Sequence, residues 1–171
     1  LCISYRFAPE TYPLAIRVGN FIRHLGKSYE IEAITAADDA RAPAGVTVHR
    51  IEPREPKRFI GWLRRRRLGK LINLILWPDT FVFWIWPAYR KAKQLIKANK
   101  PDAIVVFMMP YSQGLLGVML KRKFGLPLIM NLNDSPTCSG QNPSFPTRLH
   151  FYLTKKLEDL YIKYADSVVY V

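Results

Sequence analysis

Short β-branched runs alternate with stretches of helical apolar periodicity along this chain, and this alternation limits its possible folds more than any other feature. The runs predict six strands, at residues 1–5, 30–35, 46–51, 103–108, 127–132 and 167–171. The periodic stretches predict helices at residues 14–25, 57–76, 88–99, 111–124 and 149–164. Strands that take turns with helices are typical of a parallel sheet covered by helices. We therefore predict an α/β protein with a mostly parallel sheet.

The loops at the carboxyl ends of parallel strands lie on one edge of the sheet, where α/β proteins of this type bind their ligands. Three loops of this chain follow predicted strands in that way, at residues 6–13, 108–112 and 132–140. We therefore look for the functional residues in these loops and in the first turns of the helices that follow them.

The chain carries 26 basic and 13 acidic residues, and its net charge of +13 favours acidic lipid surfaces, nucleic acid or phosphate-bearing ligands. Its 171 residues suit one α/β domain, and both ends read as cuts through a longer chain because each lies in an apolar run. Two cysteines do not make a disulfide framework, so a reducing cytoplasm is expected. The longest apolar stretch, residues 71–88, is broken by Asn73, Asp79 and two prolines, which argues against a transmembrane helix.

Four segments carry a recognisable order of motifs. They are SYRFAPET at residues 4–11 with AIRVGN at 15–20, KPDAIVV at 100–106 leading to Tyr111 and Ser112, GLPLIMNLND at 125–134, and YADSVV at 164–169. In this order and spacing they resemble the N-terminal domain of glycosyltransferase family 4, especially the branch that builds bacterial surface polysaccharides.

The resemblance implies a Rossmann-like three-layer sandwich that forms one half of a GT-B glycosyltransferase. Residues 1–171 would be its acceptor-side N-terminal domain, inactive alone, and a C-terminal donor domain with a Glu-x7-Glu motif would hold the nucleotide sugar. The implied reaction moves a sugar to a lipid-linked or polysaccharide acceptor, with retention of configuration and without a metal. The nucleotide sugar is a co-substrate, and no cofactor is expected. One departure is that residues 10–15 lack the glycines that family members often place there, which weakens the expectation of close phosphate contact by this loop.

Asp134 is the candidate catalytic residue because it follows a predicted buried strand and opens a polar loop. Its carboxylate can orient or deprotonate an acceptor hydroxyl, or hold a sugar hydroxyl. Asn133 beside it is a candidate substrate-binding residue. Asp and Asn also favour turns and helix caps, which is the alternative interpretation of both residues.

The other candidate substrate-binding residues are Glu10, Thr11, Arg17, Tyr111 and Ser112. Glu10 can instead cap the next helix, and Arg17 can pair with a phosphate, pair with Glu10 or simply be solvated. Tyr111 and Ser112 begin a predicted helix, and the exposed amides of a helix N-terminus favour an anion. A plain N-cap is the alternative for Ser112.

Residues 54–70 interleave basic with aromatic and aliphatic side chains, a pattern typical of helices that lie on an anionic membrane surface. The predicted membrane contacts are Trp62, Arg64, Arg65, Arg66 and Arg67. The alternative is a solvated basic face whose apolar side packs on the domain. Core packing is the expectation for Trp77, Trp84 and Trp86. Together these points predict a cytoplasmic protein that is peripheral on the inner face of the cell membrane.

Two other functions stay open. The arginine run at residues 64–67 also suits a basic nucleic-acid-binding module, although no recognisable nucleic-acid motif is present and a specific nucleic-acid partner is not expected. The chain can also be a noncatalytic Rossmann-like partner subunit of a split glycosyltransferase. His24, His49 and His150 have no partners at metal-ligand spacing, so no metal site is predicted, and Cys2 is expected to be a buried thiol.

Overall fold

The computed structural model describes residues 1–38, 42–53, 56–66, 72, 74–135, 137 and 145–170. Its strands are β1 (Cys2–Ile3), β2 (Ile31–Thr35), β3 (Val46–Arg50), β4 (Ile104–Phe107), β5 (Leu128–Leu132) and β6 (Ser167–Tyr170). All six predicted strands are therefore confirmed. β1 is shorter than predicted. Residues 4 and 5 still form backbone hydrogen bonds with β2 and the residue after it: Ser4 N donates to Ile34 O at 3.0 Å, and Ala36 N donates to Tyr5 O at 3.1 Å.

The strands form one all-parallel sheet in the order β3-β2-β1-β4-β5-β6. Ile3 in the central strand β1 pairs with Ile34 of β2 on one side and with Val106 of β4 on the other. The order along the sheet reverses between β1 and β4, so the loops that follow these two strands diverge there. The predicted parallel α/β sheet is confirmed.

Among the described residues, the connections contain helices α1 (Pro13–Leu25), α2 (Lys57–Arg65), α3 (Val82–Asn99), α4 (Ser112–Phe124) and α5 (Arg148–Tyr164). Two predicted boundaries are wrong. α2 ends at Arg65 and a turn follows at Arg66, so the predicted helix over residues 57–76 is not continuous, although residues 72, 74 and 75 are again helical. α3 begins six residues before the predicted start at residue 88 and contains Pro87, because burial of Trp84 and Ile85 offsets the backbone bond that proline cannot donate.

Helices cover both faces of the sheet, since successive residues of a strand point to opposite faces. On one face α1 packs Leu14 and Ile22 against Phe107. On the other face α3, α4 and α5 share a larger core that includes Trp84 and Leu116. The molecule is thus a Rossmann-like three-layer sandwich.

Candidate functional site

The candidate site lies on the carboxyl edge of the sheet, beside the reversal between β1 and β4. α1 starts there with Tyr12 as its N-cap residue and Pro13 as its first helical residue, and the Tyr12 side chain makes no capping hydrogen bond. Proline suits a helix start because its φ is already helical and its missing N–H would be unpaired anyway. α1 also approaches the preceding loop closely, since a Cβ on Gly19 would lie 2.7 Å from the Cβ of Ala8.

Arg17, one turn into α1, lies at the centre of a polar cluster. Its Nη2 atom donates hydrogen bonds to the Oδ1 atoms of Asn131 in β5 and Asn133 just beyond it. These bonds join residues 114 and 116 positions apart in the chain. Burial lowers the pKa of the Arg17 guanidinium, and the nearby Asp134 carboxylate opposes that shift. The side chain stays cationic, because an arginine pKa begins far above neutral pH.

Asp134 and Tyr111 complete the group that we call the Arg17 cluster: Arg17, Tyr111, Asn131, Asn133 and Asp134. Asp134 is exposed, and its carboxylate is close enough to affect the titration of both Arg17 and Tyr111. Burial raises the pKa of Tyr111 to about 12, and the Asp134 carboxylate adds to the rise. The Tyr111 hydroxyl is therefore a protonated donor at neutral pH. Within the described ranges Asp134 makes no hydrogen bond.

The N-terminus of α4 binds the carboxylate of Asp79, a side chain of the protein itself. Asp79 accepts hydrogen bonds at 2.9 Å from the backbone N–H groups of both Ser112 and Phe81. The N-cap of α4 is Tyr111, so the interpretation of Ser112 as a plain N-cap is wrong. Ser112 is only 1% exposed and its hydroxyl also bonds Asp79, so it anchors this carboxylate and is not open to a ligand. Burial raises the pKa of Asp79 in spite of these bonds.

Glu10 is held by a neighbour in the loop that follows β1. Its Oε2 atom lies 3.2 Å from Nη1 of Arg6, whose guanidinium lies 4.4 Å from the centre of the Tyr12 ring. The suggested pairing of Glu10 with Arg17 is therefore wrong, and so is its suggested role as the cap of α1. Thr11 is exposed, and in the described part of the chain it has no polar contact with the Arg17 cluster.

A cleft of about 700 Å³ opens over the carboxyl ends of β1, β2 and β3. Tyr5 and Phe81 provide aromatic lining, with ring centres 4.6 Å apart. The Arg50 guanidinium bonds the Asp38 carboxylate and lies 3.9 Å from the Glu52 carboxylate. The charged lining consists of Arg6, Glu10, Asp38, Arg50 and Glu52. Among the described lining residues, three carboxylates outnumber two guanidiniums, although the whole chain carries +13.

Helix α5 supports the loop after β5 and the start of α4. Thr137 Oγ1 donates to the buried carboxylate of Glu158, which ties the loop that carries Asp134 to α5. Tyr161 donates its hydroxyl to the backbone oxygen of Tyr111 at 2.8 Å. Two contacts from one helix thus position both Asp134 and Tyr111 at the edge of the sheet.

Helix α2 turns its aliphatic side inward: Ile60 and Leu63 are buried in a small cluster with Ile72 and Leu76. Of the predicted membrane contacts, Trp62 is 45% exposed, and the other two that the structure describes fully, Arg65 and Arg66, are exposed. The guanidinium of Arg66 lies 5.6 Å from the centre of the Trp62 ring. The side chain of Arg64 and all of Arg67 lie outside the described residues. In the described ranges, no helix is long and apolar enough to cross a membrane.

The other tryptophans only partly follow the expectation of core packing. Trp84 is buried and donates its Nε1–H to the backbone oxygen of Ile51 at 2.9 Å. Trp77 is half-buried and donates to Thr154 Oγ1 at 3.2 Å. Trp86 is exposed, so the expectation is wrong for this residue.

Cys2 is buried as expected, and burial raises the pKa of its thiol to about 11, which keeps it neutral. Across the residues that the structure describes, no three His, Cys, Asp or Glu side chains come together in a way that could hold a metal ion.

Sequence reasoning missed Asn131, Asp79 and most of the charged lining of the cleft. Asn131 stands in a strand that otherwise reads as apolar, and an amide in such a run was the available signal. Asp79 follows a proline and reads as a helix interruption. Nothing near it in the chain indicates that it bonds Ser112, which lies 33 positions away.

The fold and the site together define a Rossmann-like α/β protein with polar side chains gathered on the carboxyl edge of its sheet. No protein-family model matches the chain, and neither does any curated protein.

Proposed function

We propose that this chain is the acceptor-side domain of a GT-B glycosyltransferase that transfers a sugar from a nucleotide-sugar donor to a lipid-linked or polysaccharide acceptor. The observation that carries the proposal is the Arg17 cluster, which joins a cation, an exposed carboxylate and a phenol beside the switch in strand order. The motif resemblance adds retention of configuration, independence of a metal and a second domain that holds the donor.

Arg17 supports a role in binding the phosphates of the donor. One of its terminal nitrogens is held by Asn131 and Asn133, so the guanidinium is oriented without being neutralised by a bonded carboxylate. A guanidinium has five N–H donors, and a planar fork of donors matches phosphate geometry. The start of α4 is not available for the same purpose, because Asp79 already occupies it.

Asp134 supports a role toward the acceptor. Its exposed carboxylate is close enough to raise the pKa of Tyr111, whose hydroxyl is a hydrogen-bond donor at neutral pH. A carboxylate can accept the proton of an acceptor hydroxyl or hold that hydroxyl in position while the bond to the sugar forms. A phenol beside it can donate to a second sugar oxygen.

The cleft over β1, β2 and β3 supports an uncharged, hydroxylated ligand. Both guanidiniums in the described lining are paired with carboxylates, so these two side chains offer little free positive charge to a polyanion. Paired ions still offer hydrogen bonds to hydroxyl groups, and the partly exposed ring of Phe81 in the lining suits the apolar side of a sugar ring. We assign this cleft to the glycan part of the acceptor.

Peripheral association with the inner face of the cytoplasmic membrane belongs to the same proposal. Exposed Trp62, Arg65 and Arg66 support it, because aromatic and basic side chains together favour the interface of an anionic bilayer.

The test uses the full-length protein with a panel of labelled nucleotide sugars and membrane extract as acceptor. We expect transfer, or slow hydrolysis of the donor, and a loss of at least about 100-fold in kcat for Asp134→Asn, since positioned acid–base groups contribute on that order. Asp159→Asn is the matched control, because Asp159 is an exposed carboxylate on α5. No turnover by the folded wild-type protein, or equal rates for both variants, would count against the proposal.

A further inference from the structure

Two segments far apart in the chain carry exposed apolar side chains and touch through one hydrogen bond. Ile75 is 59% exposed, and Leu149, in the first turn of α5, is 61% exposed. Nε2 of His150 lies 3.1 Å from the backbone oxygen of Leu74, so the two segments touch at these points. Tyr152 is also exposed on this side of the helix start. We call Leu74, Ile75, Leu149 and Tyr152 the Ile75–Leu149 surface.

The Ile75–Leu149 surface differs from the membrane-contact surface that residues 54–70 predict. The aliphatic residues of α2, Ile60 and Leu63, are buried in their own small cluster and cannot enter a lipid phase. α2 therefore contributes basic side chains and Trp62 to its surroundings, while the exposed aliphatic side chains come from residues 74–75 and from the start of α5.

The two segments that form the Ile75–Leu149 surface are rich in basic residues. Residues 56–78 contain seven basic residues and no acidic one, and residues 145–157 contain three basic residues and no acidic one. Six of these basic residues are exposed in the described part of the chain: Arg58, Arg65, Arg66, Arg148, Lys155 and Lys156. The Lys156 ammonium lies 4.7 Å from the centre of the exposed Tyr152 ring.

An apolar centre with basic and aromatic residues around it matches an anionic bilayer, which offers acidic headgroups above an apolar phase. A nucleic acid offers the same negative charge but no apolar phase for Ile75 and Leu149 to enter. The positive charge therefore suits a nucleic acid and an anionic bilayer equally, whereas the exposed aliphatic side chains favour the bilayer.

The surface also borders the candidate site. α5 begins after the loop that carries Asp134, so Leu149 lies at the carboxyl edge of the sheet. Ile75 precedes Asp79 by four residues, and Asp79 bonds the start of α4 beside Tyr111. We infer that the Ile75–Leu149 surface docks on an anionic lipid bilayer and so presents the Arg17 cluster to an acceptor anchored in that bilayer. The part that concerns the acceptor rests on the proposed function, whereas bilayer docking stands on exposure and charge alone.

The test is sedimentation of the full-length protein with vesicles of 30% phosphatidylglycerol in phosphatidylcholine, compared with pure phosphatidylcholine. The variants are Ile75→Glu and Leu149→Glu, with Leu149→Ser to remove the apolar group without adding charge. Ile162→Glu is the matched control: it lies on the same helix, is 48% exposed, and changes the net charge equally. It stands about 20 Å along α5 from Leu149, given a rise of about 1.5 Å per residue. Circular dichroism checks that each variant is folded, and the exposed positions make unfolding unexpected.

We expect binding to the anionic vesicles, at least about tenfold weaker with either Ile75→Glu or Leu149→Glu, and within about twofold of wild type with Ile162→Glu. Leu149→Ser should weaken binding less than Leu149→Glu but more than Ile162→Glu. Equal binding by all variants would overturn the inference, as would equal weakening by the Ile162 control. Tight binding to a DNA duplex without any preference for anionic vesicles would also overturn it. Turnover of nucleotide sugars is measured separately, so vesicle binding without turnover defeats only the proposed function, and turnover without vesicle binding defeats only this inference.

Discussion

Replacing Asp79 with alanine removes the carboxylate that occupies the start of α4, and the contacts of that carboxylate indicate how much the free energy of unfolding should fall. The carboxylate accepts backbone hydrogen bonds at 2.9 Å from Ser112 and from Phe81, which join two segments 33 positions apart. Loss of an N-cap costs about 0.5–2 kcal/mol, and each buried N–H left without a partner costs about 1–3 kcal/mol. Relief of the buried charge offsets part of this cost. We expect Asp79→Ala to lower the free energy of unfolding by about 2–4 kcal/mol.

Urea unfolding followed by circular dichroism measures this change, and thermal unfolding should show a Tm lower by about 10 °C for a chain of this size. Asp159→Ala removes an exposed carboxylate from α5 and should stay within about 0.5 kcal/mol of wild type. A result for Asp79→Ala as small as that of the control would refute the capping role.

The pH dependence gives an independent check with a definite sign. Burial raises the folded-state pKa of Asp79 above its ordinary value of 3.8, so the folded chain holds the proton more tightly than the unfolded chain. The resulting stabilisation is complete below pH 3.8 and is lost as the pH rises through the folded-state pKa. Asp79→Asn lacks this titration, so the unfolding free energy of wild type relative to Asp79→Asn should fall with rising pH. A relative stability that rises with pH would show that the hydrogen bonds outweigh burial.

Two further substitutions test the contacts that position the site. Gly19→Ala should destabilise the chain by about 1–3 kcal/mol, because its Cβ would lie 2.7 Å from the Cβ of Ala8 and neither atom can rotate away; an unchanged urea midpoint would contradict the close packing of α1 on the preceding loop. Tyr161→Phe should cost about 1 kcal/mol through the lost 2.8 Å bond to the backbone oxygen of Tyr111, measured by thermal unfolding. A Tm equal to that of wild type would mean that this bond does not hold the start of α4.

The sheet could be predicted because its signal is local. A strand buried on both faces needs a continuous apolar run, and a helix packed on one side needs apolar residues every three or four positions. Residues 104–107 satisfy the first condition by themselves, and residues 128–132 satisfy it except for Asn131, so β4 and β5 lie within their predicted ranges. Gly125 ends α4 with a positive φ of 71°, because glycine adopts the left-handed conformation without steric cost.

Where local signals conflicted, tertiary packing decided the outcome. Pro87 reads as a helix breaker, yet α3 runs through it because Trp84 and Ile85 are buried against the sheet. The periodic stretch from residue 57 onward predicts one long helix, but α2 ends at Arg65 and its apolar residues pack on Ile72 and Leu76.

The strand positions, the parallel arrangement and the loops that reach the carboxyl edge follow from the order of residues alone, since each depends on neighbours within a few positions. Which side chains bond each other at that edge does not follow from the order of residues. Arg17 bonds Asn131 and not Glu10, and Asp79 instead of Ser112 caps α4, because the sheet brings segments together that are up to 116 positions apart. A side chain has no local preference among distant partners of the same chemistry, so only the packing of the strands selects which of them it meets.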